Sequence, residues 1–270
     1  MKTEHIIEKI IAVTLTLLLL TAHCPRVMAQ TDTIRLKDKR LIINNLKPGL
    51  RQYLVYFQNL KDDRRLRMSV WLRDVETGNH NGEELFTVTQ HWYAADSALY
   101  RSAFSANRAA DFTPVYHSET IGTKTKAFNW DATKIAGADT VKNNLAKDFL
   151  LNVKEPYFNW NLDIETFEML PLAAGKTFAI NFYDAVSNTP EYAVYKVTGS
   201  EELATLDNEK VDCWKLFTEA DYKGQHYSQT FWISKNSHEF LREEDFFNGG
   251  YRYKIKLAGA APDVVKRFGK

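Results

Sequence analysis

The strongest constraint on the fold is an alternation of apolar and charged residues with a period of two. Residues 251–257 read YRYKIKL, so the tyrosines and aliphatic residues point to one side and Arg252, Lys254 and Lys256 to the other. The segment 66–73, LRMSVWLR, alternates in the same way. Successive side chains of a strand point to opposite faces of its sheet. This period therefore predicts strands whose apolar side packs inward.

Turn signals separate several segments of this kind. The run 77–82, TGNHNG, predicts a hairpin loop between strands at 66–75 and 85–93. Further strand candidates cover 50–57, 176–183, 192–197, 211–218, 227–234 and 240–246. Such spacing is typical of antiparallel β proteins, and the 13% aromatic content agrees with it. The predicted fold class is mainly β: a single curved antiparallel sheet or an open β-barrel.

One helix is predicted near 160–170, packed against the sheet. Asn159 can cap its start, and Pro171 stops it. Its apolar stripe, at i, i+4 and i+7, consists of Trp160, Ile164 and Phe167. The segment 135–152 fits either a helix or a strand, and 262–268 fits a short terminal helix.

The first 29 residues have the features of a secretory signal peptide. The apolar run Ile10–Leu20 has about half of the roughly 20 residues that a membrane-spanning helix needs. Val27 and Ala29 supply the small residues that a signal peptidase requires, which predicts cleavage after Ala29. An uncleaved anchor is the alternative. We expect an exported protein of the periplasm or cell envelope, peripheral to the membrane rather than spanning it.

The cysteines and the domain boundary follow from that cleavage. The residues before Cys24, Thr-Ala-His, match a lipoprotein signal poorly, so lipidation of Cys24 is the lesser alternative. Cleavage leaves Cys213 as the sole cysteine, and the mature chain then has no internal disulfide. We interpret 30–270 as a single β-rich domain, with a split near Asn159 as the alternative.

The sequence shows no recognisable catalytic, cofactor or metal motif. No two of the five histidines after the signal segment are four residues apart, and the chain has no phosphate-binding loop or dinucleotide fingerprint. Cys213 has no basic partner nearby in the sequence, which favours a small buried residue. Neither a cofactor nor a metal is predicted. We therefore do not expect an enzyme.

Charge argues against a polyanionic partner. The signal segment holds three basic and two acidic residues, so its removal leaves 32 of each sign. A neutral surface gives little attraction for nucleic acid, and no nucleic-acid partner is expected. The carboxylate clusters at 165/168, 201–202 and 243–245 are interpreted as solvated charges of edges or loops, with a hydrolytic pair as the alternative.

The aromatic residues are spread over the whole mature chain and suggest either core packing or an apolar cavity. Each buried aromatic ring supplies a large apolar area, which favours packing in a core. A curled sheet with one inserted helix can also leave apolar space for a ligand. The candidate ligand-binding residues for such a cavity are Trp160, Phe167, Trp214, Trp232, Tyr251 and Tyr253.

A series of short motifs runs through 112–257. They are TPVYH at 113–117, MLPLAAG at 169–175, YKVTGSE at 195–201, VDCWK at 211–215, and FWISK at 231–235 followed by FLR at 240–242. In order and spacing they resemble an uncharacterised bacterial domain-of-unknown-function family of exported β proteins. Such proteins are similar in outline to the periplasmic carriers of outer-membrane lipoproteins. The resemblance implies an open, curved sheet whose cavity, closed by helix, could hold acyl chains; it transfers no catalytic residue.

Two classes of function follow. The first is a cell-envelope protein that binds an apolar ligand or a lipidated partner in the cavity. The second is an envelope structural or interaction protein with a filled core and no ligand. Endogenous lipid retained through gentle purification, detected by native mass spectrometry, would distinguish the first class from the second.

Overall fold

The structure, a computed structural model, describes most of the chain after the signal segment. The described residues are 31–258 without 60–66, 185–189, 223 and 248. The predicted signal peptide at 1–29, Cys24 within it, and the short helix at 262–268 lie outside the described residues.

Sixteen strands, numbered in chain order, make up most of the described residues. Their bounds are β1 Thr31–Ile34, β2 Gly49–Asn59, β3 Arg67–His80, β4 Glu83–Ala94, β5 Arg101–Arg108, β6 Pro114–Ile121, β7 Lys124–Trp130, β8 Lys134–Gly137, β9 Leu150–Asn152, β10 Phe158–Asn159, β11 Thr177–Tyr183, β12 Glu191–Ala204, β13 Lys210–Tyr222, β14 Gln225–Ser234, β15 Phe240–Phe247 and β16 Gly250–Lys256. The predicted hairpin between β3 and β4 is confirmed, with its turn at Asn81 and Gly82. The ambiguous segment 135–152 contains two short strands, β8 and β9, joined by turns.

All sixteen strands belong to one sheet. Its order is β1-β11-β12-β13-β14-β15-β16-β2-β3-β4-β5-β6-β7-β8-β9, with β10 also paired to β11. Neighbouring strands are antiparallel except at β11, where β1 and β10 run parallel to it. Strand β16 pairs with β2, so the last of the described strands lies in the middle of the sheet. The predicted curved antiparallel sheet is confirmed.

The sheet rolls up without closing into a hydrogen-bonded barrel. Strand β9 forms one edge of the sheet, and β1 and β10, both paired to β11, form the other. Tyr183 at the end of β11 packs against Trp130 of β7, with ring centroids 5.9 Å apart. Strands accumulate twist across a wide sheet, which brings its two ends together. Side-chain packing therefore joins strands from opposite ends of the sheet.

The predicted helix is confirmed and is short. A 3₁₀ turn at Trp160–Leu162 continues into an α-helix at Asp163–Glu168, and we call the whole element α1. The side chain of Asn159 caps its start by accepting a hydrogen bond from the Asn161 backbone N–H at 3.1 Å. Among the described residues, no helix is long and apolar enough to cross a membrane.

Helix α1 defines the two faces of the sheet. The inner face packs on α1 and carries large buried rings, including those of Tyr53, Phe231 and Phe240. Phe167 of α1 inserts among these rings, 4.8 Å from Phe231 between centroids. The outer face has a smaller separate cluster around Trp232. The main core therefore lies between the inner face and α1.

Candidate functional site

The acidic side of α1 rests on arginines of the inner face. Arg73 of β3 donates to both carboxylate oxygens of Glu165, with Nε 2.8 Å from Oε1. Arg51 of β2 donates to Glu168 Oε2 at 3.1 Å, and the Phe240 backbone N–H donates to Glu168 Oε1 at 3.0 Å. Strand register places both arginines on the face that carries Tyr53. Paired buried charges therefore fix α1 on the sheet.

A second charged cluster lies on the inner face of β15 and β16. Lys254 and Arg252 both donate to Glu243, the latter from its Nη2 at 2.5 Å. Arg252 Nε also donates to Asp245. Gln229 of β14 donates to the other oxygen of Asp245 at 3.0 Å. Three neighbouring strands thus contribute to one hydrogen-bonded network.

These two networks correct part of the sequence interpretation. The carboxylates at 165/168 and those of Glu243 and Asp245 are buried and paired rather than solvated. Lys254 is also buried, and the inner face of β16 is its basic side rather than its tyrosine side. The pattern of alternation was correct, but its orientation was wrong because opposite charges neutralise the basic side chains inside.

Burial and neighbouring charges shift the acid pKa values in different directions. Burial raises the pKa of Glu168 to about 7, since Arg51 only partly offsets the lost solvation. Burial also opposes ionisation of Glu243, but Lys254 and Arg252 outweigh it and lower its pKa to about 2. Burial, followed by the charge of Glu243, raises the pKa of Asp245 to about 7. Asp245 thus exchanges a proton near neutral pH.

A cavity of about 580 Å³ lies on the inner face beside the start of α1. Its wall consists of residues of β2 and β12–β16 together with Trp160 at the start of α1. The rings and small residues that define it are Phe57, Trp160, Ala193, Ala220, Tyr227 and Phe247. The network of Gln229, Asp245 and Arg252 lies on the same wall. The site therefore combines an aromatic surface with one polar, charged region.

Two of the six predicted site residues lie in or next to this cavity. Trp160 lines it, is 37% exposed, and packs on Phe182 with centroids 5.2 Å apart. Phe167 is completely buried and contacts the ring of Tyr195, a residue that also lines the cavity. Phe167 therefore supports the cavity wall from the core side.

The other four predicted residues lie elsewhere on the sheet. Trp214 is on the inner face toward the other end of β13, under the ammonium group of Lys235 at 4.3 Å. Trp232 packs against Arg242 on the outer face. Tyr251 and Tyr253 stack on each other on the outer face as well. The structure does not bring these four residues into the cavity.

Sequence reasoning missed several rings of the cavity wall. Phe57 has the same strand parity as buried Tyr53, and Tyr227 has the same parity as Phe231. That parity was visible in the sequence. Which of the two alternating sets of side chains faces inward depends on the buried ion pairs between the sheet and α1. Only the tertiary structure shows these pairs.

A Ser–His pair is buried between β5 and β6. Ser105 Oγ lies 2.9 Å from His117 Nδ1, and the two residues are 0% and 2% exposed. Burial, with a smaller contribution from Arg101, lowers the pKa of His117 to about 3, so its ring is neutral. A neutral, enclosed ring with a hydroxyl partner fits a structural hydrogen bond in the core.

A protein-family profile matches most of the chain. The DUF3108 profile, described as a protein of unknown function, matches residues 52–256. These limits contain all the motifs quoted above between 113 and 242, as well as the whole cavity wall. Among curated proteins, no sequence matches the chain.

Solved structures give a likeness of fold. The β-barrel-like DUF1849 protein of Brucella abortus has a TM-score of 0.50 at 12% identity, over 78% of this chain and 96% of its own. The lipoprotein LppX of Mycobacterium tuberculosis has a TM-score of 0.26 at 8% identity, over 82% and 91%. A DUF1329 protein of Desulfovibrio piger has a TM-score of 0.25 at 10% identity, over 87% and 97%. The first of these supports a β-barrel-like fold for this chain.

Proposed function

The chain belongs to the DUF3108 family, and from this starting point we propose that it is an exported cell-envelope protein that binds the apolar chain of an amphiphile. The amphiphile is a lipid or the lipid group of a modified protein. The binding site is the cavity beside α1. The fold contributes the inner face on which this cavity lies, and the family match assigns no activity.

The aromatic cavity is the observation that carries the proposal. Its volume of about 580 Å³ falls in the range of about 300–1,000 Å³ that is usual for small-molecule sites. Phe57 and Phe247 meet edge to face at 6.3 Å, which leaves ring surface on the wall. Such a wall favours an alkyl chain because transfer of each CH₂ from water contributes about 0.8 kcal/mol.

Export is the second part of the proposal and depends on the N-terminal sequence. Ile10–Leu20 and the residues before Gln30 have the features of a cleaved signal. Cleavage after Ala29 would leave β1, which begins at Thr31 and pairs with β11, within the mature domain. We place the mature protein in the periplasm or cell envelope, peripheral to the membrane.

Binding of N-phenyl-1-naphthylamine, a neutral apolar fluorophore, tests the cavity. We expect saturable enhancement of its fluorescence by the delipidated protein that begins at Gln30. Ala220→Trp, on the cavity wall, fills the space and should reduce binding at least about tenfold, a loss of about 1.4 kcal/mol. Met68→Trp is the matched control, because Met68 is exposed on the outer face. Failure of the unaltered protein to bind the fluorophore would contradict the proposal.

A structural or interaction role without a ligand is the second candidate. The observation that favours it is the filled inner face under α1, where Phe167 and the ion pairs of Arg51 and Arg73 leave α1 in tight contact with the sheet. Native mass spectrometry of protein purified without detergent distinguishes the two. Retained lipid favours the binding role, and a bare chain that also fails to bind the fluorophore favours the structural role.

A further inference from the structure

The cavity is chemically divided, with its charged groups concentrated in one region. Asp245, Gln229 and Arg252 are joined by hydrogen bonds at this region. Among the described residues of the wall, Glu219 is the other charged one, and its side chain is 61% exposed, where solvent screens it. A ligand that fills the aromatic part therefore places its polar end beside Arg252 or in solvent.

Arg252 lines the cavity and retains donor capacity. Its Nε and Nη2 donate to Asp245 and Glu243, while Nη1 has no hydrogen-bond partner among the described residues. The side chain is 23% exposed and belongs to the cavity wall. A guanidinium group presents its donors as a planar fork that matches a carboxylate. Arg252 can therefore bind an additional anionic oxygen without leaving its buried partners.

The protonation state of Asp245 determines how strongly this residue competes with a ligand for the guanidinium group of Arg252. The groups that face it are Glu243 on its own strand, Gln229 on β14 and Arg252 on β16. Its pKa of about 7 means that it carries a proton for much of the time at neutral pH. A protonated carboxyl competes less for Arg252 and can itself donate a hydrogen bond to an anion.

We infer that the ligand of the cavity is a single-chain amphiphile with a monoanionic carboxylate head, and that Arg252 and Asp245 bind this head. The alkyl chain lies against Phe57, Trp160 and Phe247. This inference rests on the proposed function and specifies the substrate class of the same site.

Displacement of the fluorophore by three amphiphiles of equal chain length provides the test. The probes are dodecanoate, dodecanol and dodecyltrimethylammonium, all below their micelle-forming concentrations. One charge-assisted hydrogen bond corresponds to about a tenfold to hundredfold advantage, which we expect for dodecanoate over dodecanol. Equal displacement by dodecanoate and dodecanol, or tighter binding of the ammonium compound, would overturn the inference while leaving the proposed function intact. Failure of the fluorophore itself to bind contradicts the proposed function instead.

Asp245→Asn provides a second, isosteric test with little risk to folding. Unaltered protein should lose affinity for dodecanoate between about pH 6 and about pH 8, as Asp245 gives up its proton and repels the head. The introduced amide is neutral at every pH, so the variant should keep its affinity over this range. His226, whose Nε2 lies 3.9 Å from Glu219, is unchanged in the variant, so the difference between the two pH profiles reports Asp245. Identical pH profiles would overturn the role assigned to Asp245.

Discussion

Arg73 and Glu165 form a two-pronged ion pair that connects β3 to α1 deep inside the protein. Arg73 Nε lies 2.8 Å from Glu165 Oε1, and the side chains are 3% and 0% exposed. Arg73 Nη2 donates to Glu165 Oε2 and also to the Asn161 carbonyl oxygen, the latter at 2.9 Å. One arginine thus holds both the 3₁₀ turn and the α-helical part of α1 on the inner face.

Removing one member of this pair should be strongly destabilising. Arg73→Met leaves the Glu165 carboxylate buried without its partner, which costs about 3–5 kcal/mol of unfolding free energy. The double variant with Glu165→Met should recover a large part of that loss, because no uncompensated charge remains. Urea unfolding of the three proteins measures both effects.

The exposed pair Lys210–Glu202 is the matched control for that experiment. Its side chains are 71% and 60% exposed, with the charged atoms 2.7 Å apart. Lys210→Met should have little effect on stability because solvent screens the pair. A loss for Arg73→Met as small as that for Lys210→Met would show that the buried pair does not hold α1.

Glu168 should make stability depend on pH in the range just below neutral. Its folded pKa of about 7 exceeds the ordinary value of 4.5, so the folded state binds more protons between these limits. The stabilisation that comes from Glu168 should therefore be lost as pH rises from about 4.5 to about 7, by an amount on the order of 3 kcal/mol. Glu168→Gln is neutral throughout, so the stability difference between the unaltered protein and this variant should change over that range, as measured by urea unfolding at several pH values.

Other titrating groups also shape that pH profile. Burial lowers the pKa of His117 to about 3, so its contribution to stability rises with pH between about 3 and about 6.5 and opposes the decline from Glu168. Asp245 has a raised pKa and contributes a decline in the same direction, which persists in Glu168→Gln. Glu243 has a lowered pKa of about 2, so its stabilising contribution is lost as pH falls from about 4.5 toward 2. A Glu168→Gln profile parallel to the unaltered one would contradict the assignment.

Much of the fold was predictable because local patterns and topology agree. Local sequence signals predicted nine strands, β2–β4 and β11–β16, together with the hairpin turn at Asn81 and Gly82 and the cap at Asn159. Strands β5–β7 were not predicted. The return of β16 to pair with β2 had no such signal. Pairings between residues nearly 200 positions apart depend on the whole chain, and period-two alternation does not specify the partner strand.

The site was less predictable than the fold, for a physical reason. Tyr251 and Tyr253 were expected inside because apolar side chains are usually buried. In the structure the inner face of that strand belongs to Arg252 and Lys254 because Glu243 supplies the opposite charge. Sequence alternation identifies two faces, and only the arrangement of buried counter-charges determines which of them is the core.

Cys213 should be unreactive in the folded protein. Burial, with the nearby charge of Asp212, raises the pKa of its thiol to about 11. At pH 8 about one molecule in a thousand then carries the reactive thiolate. Ellman's reagent should therefore react slowly with native protein that begins at Gln30, and rapidly after addition of guanidinium chloride.

An exposed cysteine provides the comparison for that reaction. Asn236 lies in the exposed turn between β14 and β15, so Asn236→Cys in a Cys213→Ser background should react rapidly without denaturant. Comparable rates for Cys213 in the native protein and for the introduced cysteine would show that β13 opens readily.

Processing of the N-terminus should leave a mature chain that begins at Gln30. The short apolar run and the small residues at Val27 and Ala29 favour this cleavage site. Intact-mass measurement of protein exported by a bacterial host should give the mass of 30–270, or that mass with Gln30 cyclised to pyroglutamate. A mass that includes Met1, or a lipid on Cys24, would contradict the prediction.

Phe167 and Trp160 should have separable effects, although both were predicted from one helical stripe. Phe167 is completely buried among Tyr195, Phe182 and Phe231, so Phe167→Ala removes a core ring and costs about 3–5 kcal/mol. Trp160 is 37% exposed on the cavity wall, so Trp160→Ala should cost about 1–2 kcal/mol and weaken fluorophore binding several-fold. Urea unfolding and fluorophore titration of both variants measure the two effects. Equal stability losses, or unchanged fluorophore affinity in Trp160→Ala, would show that Trp160 belongs to the core rather than to the ligand site.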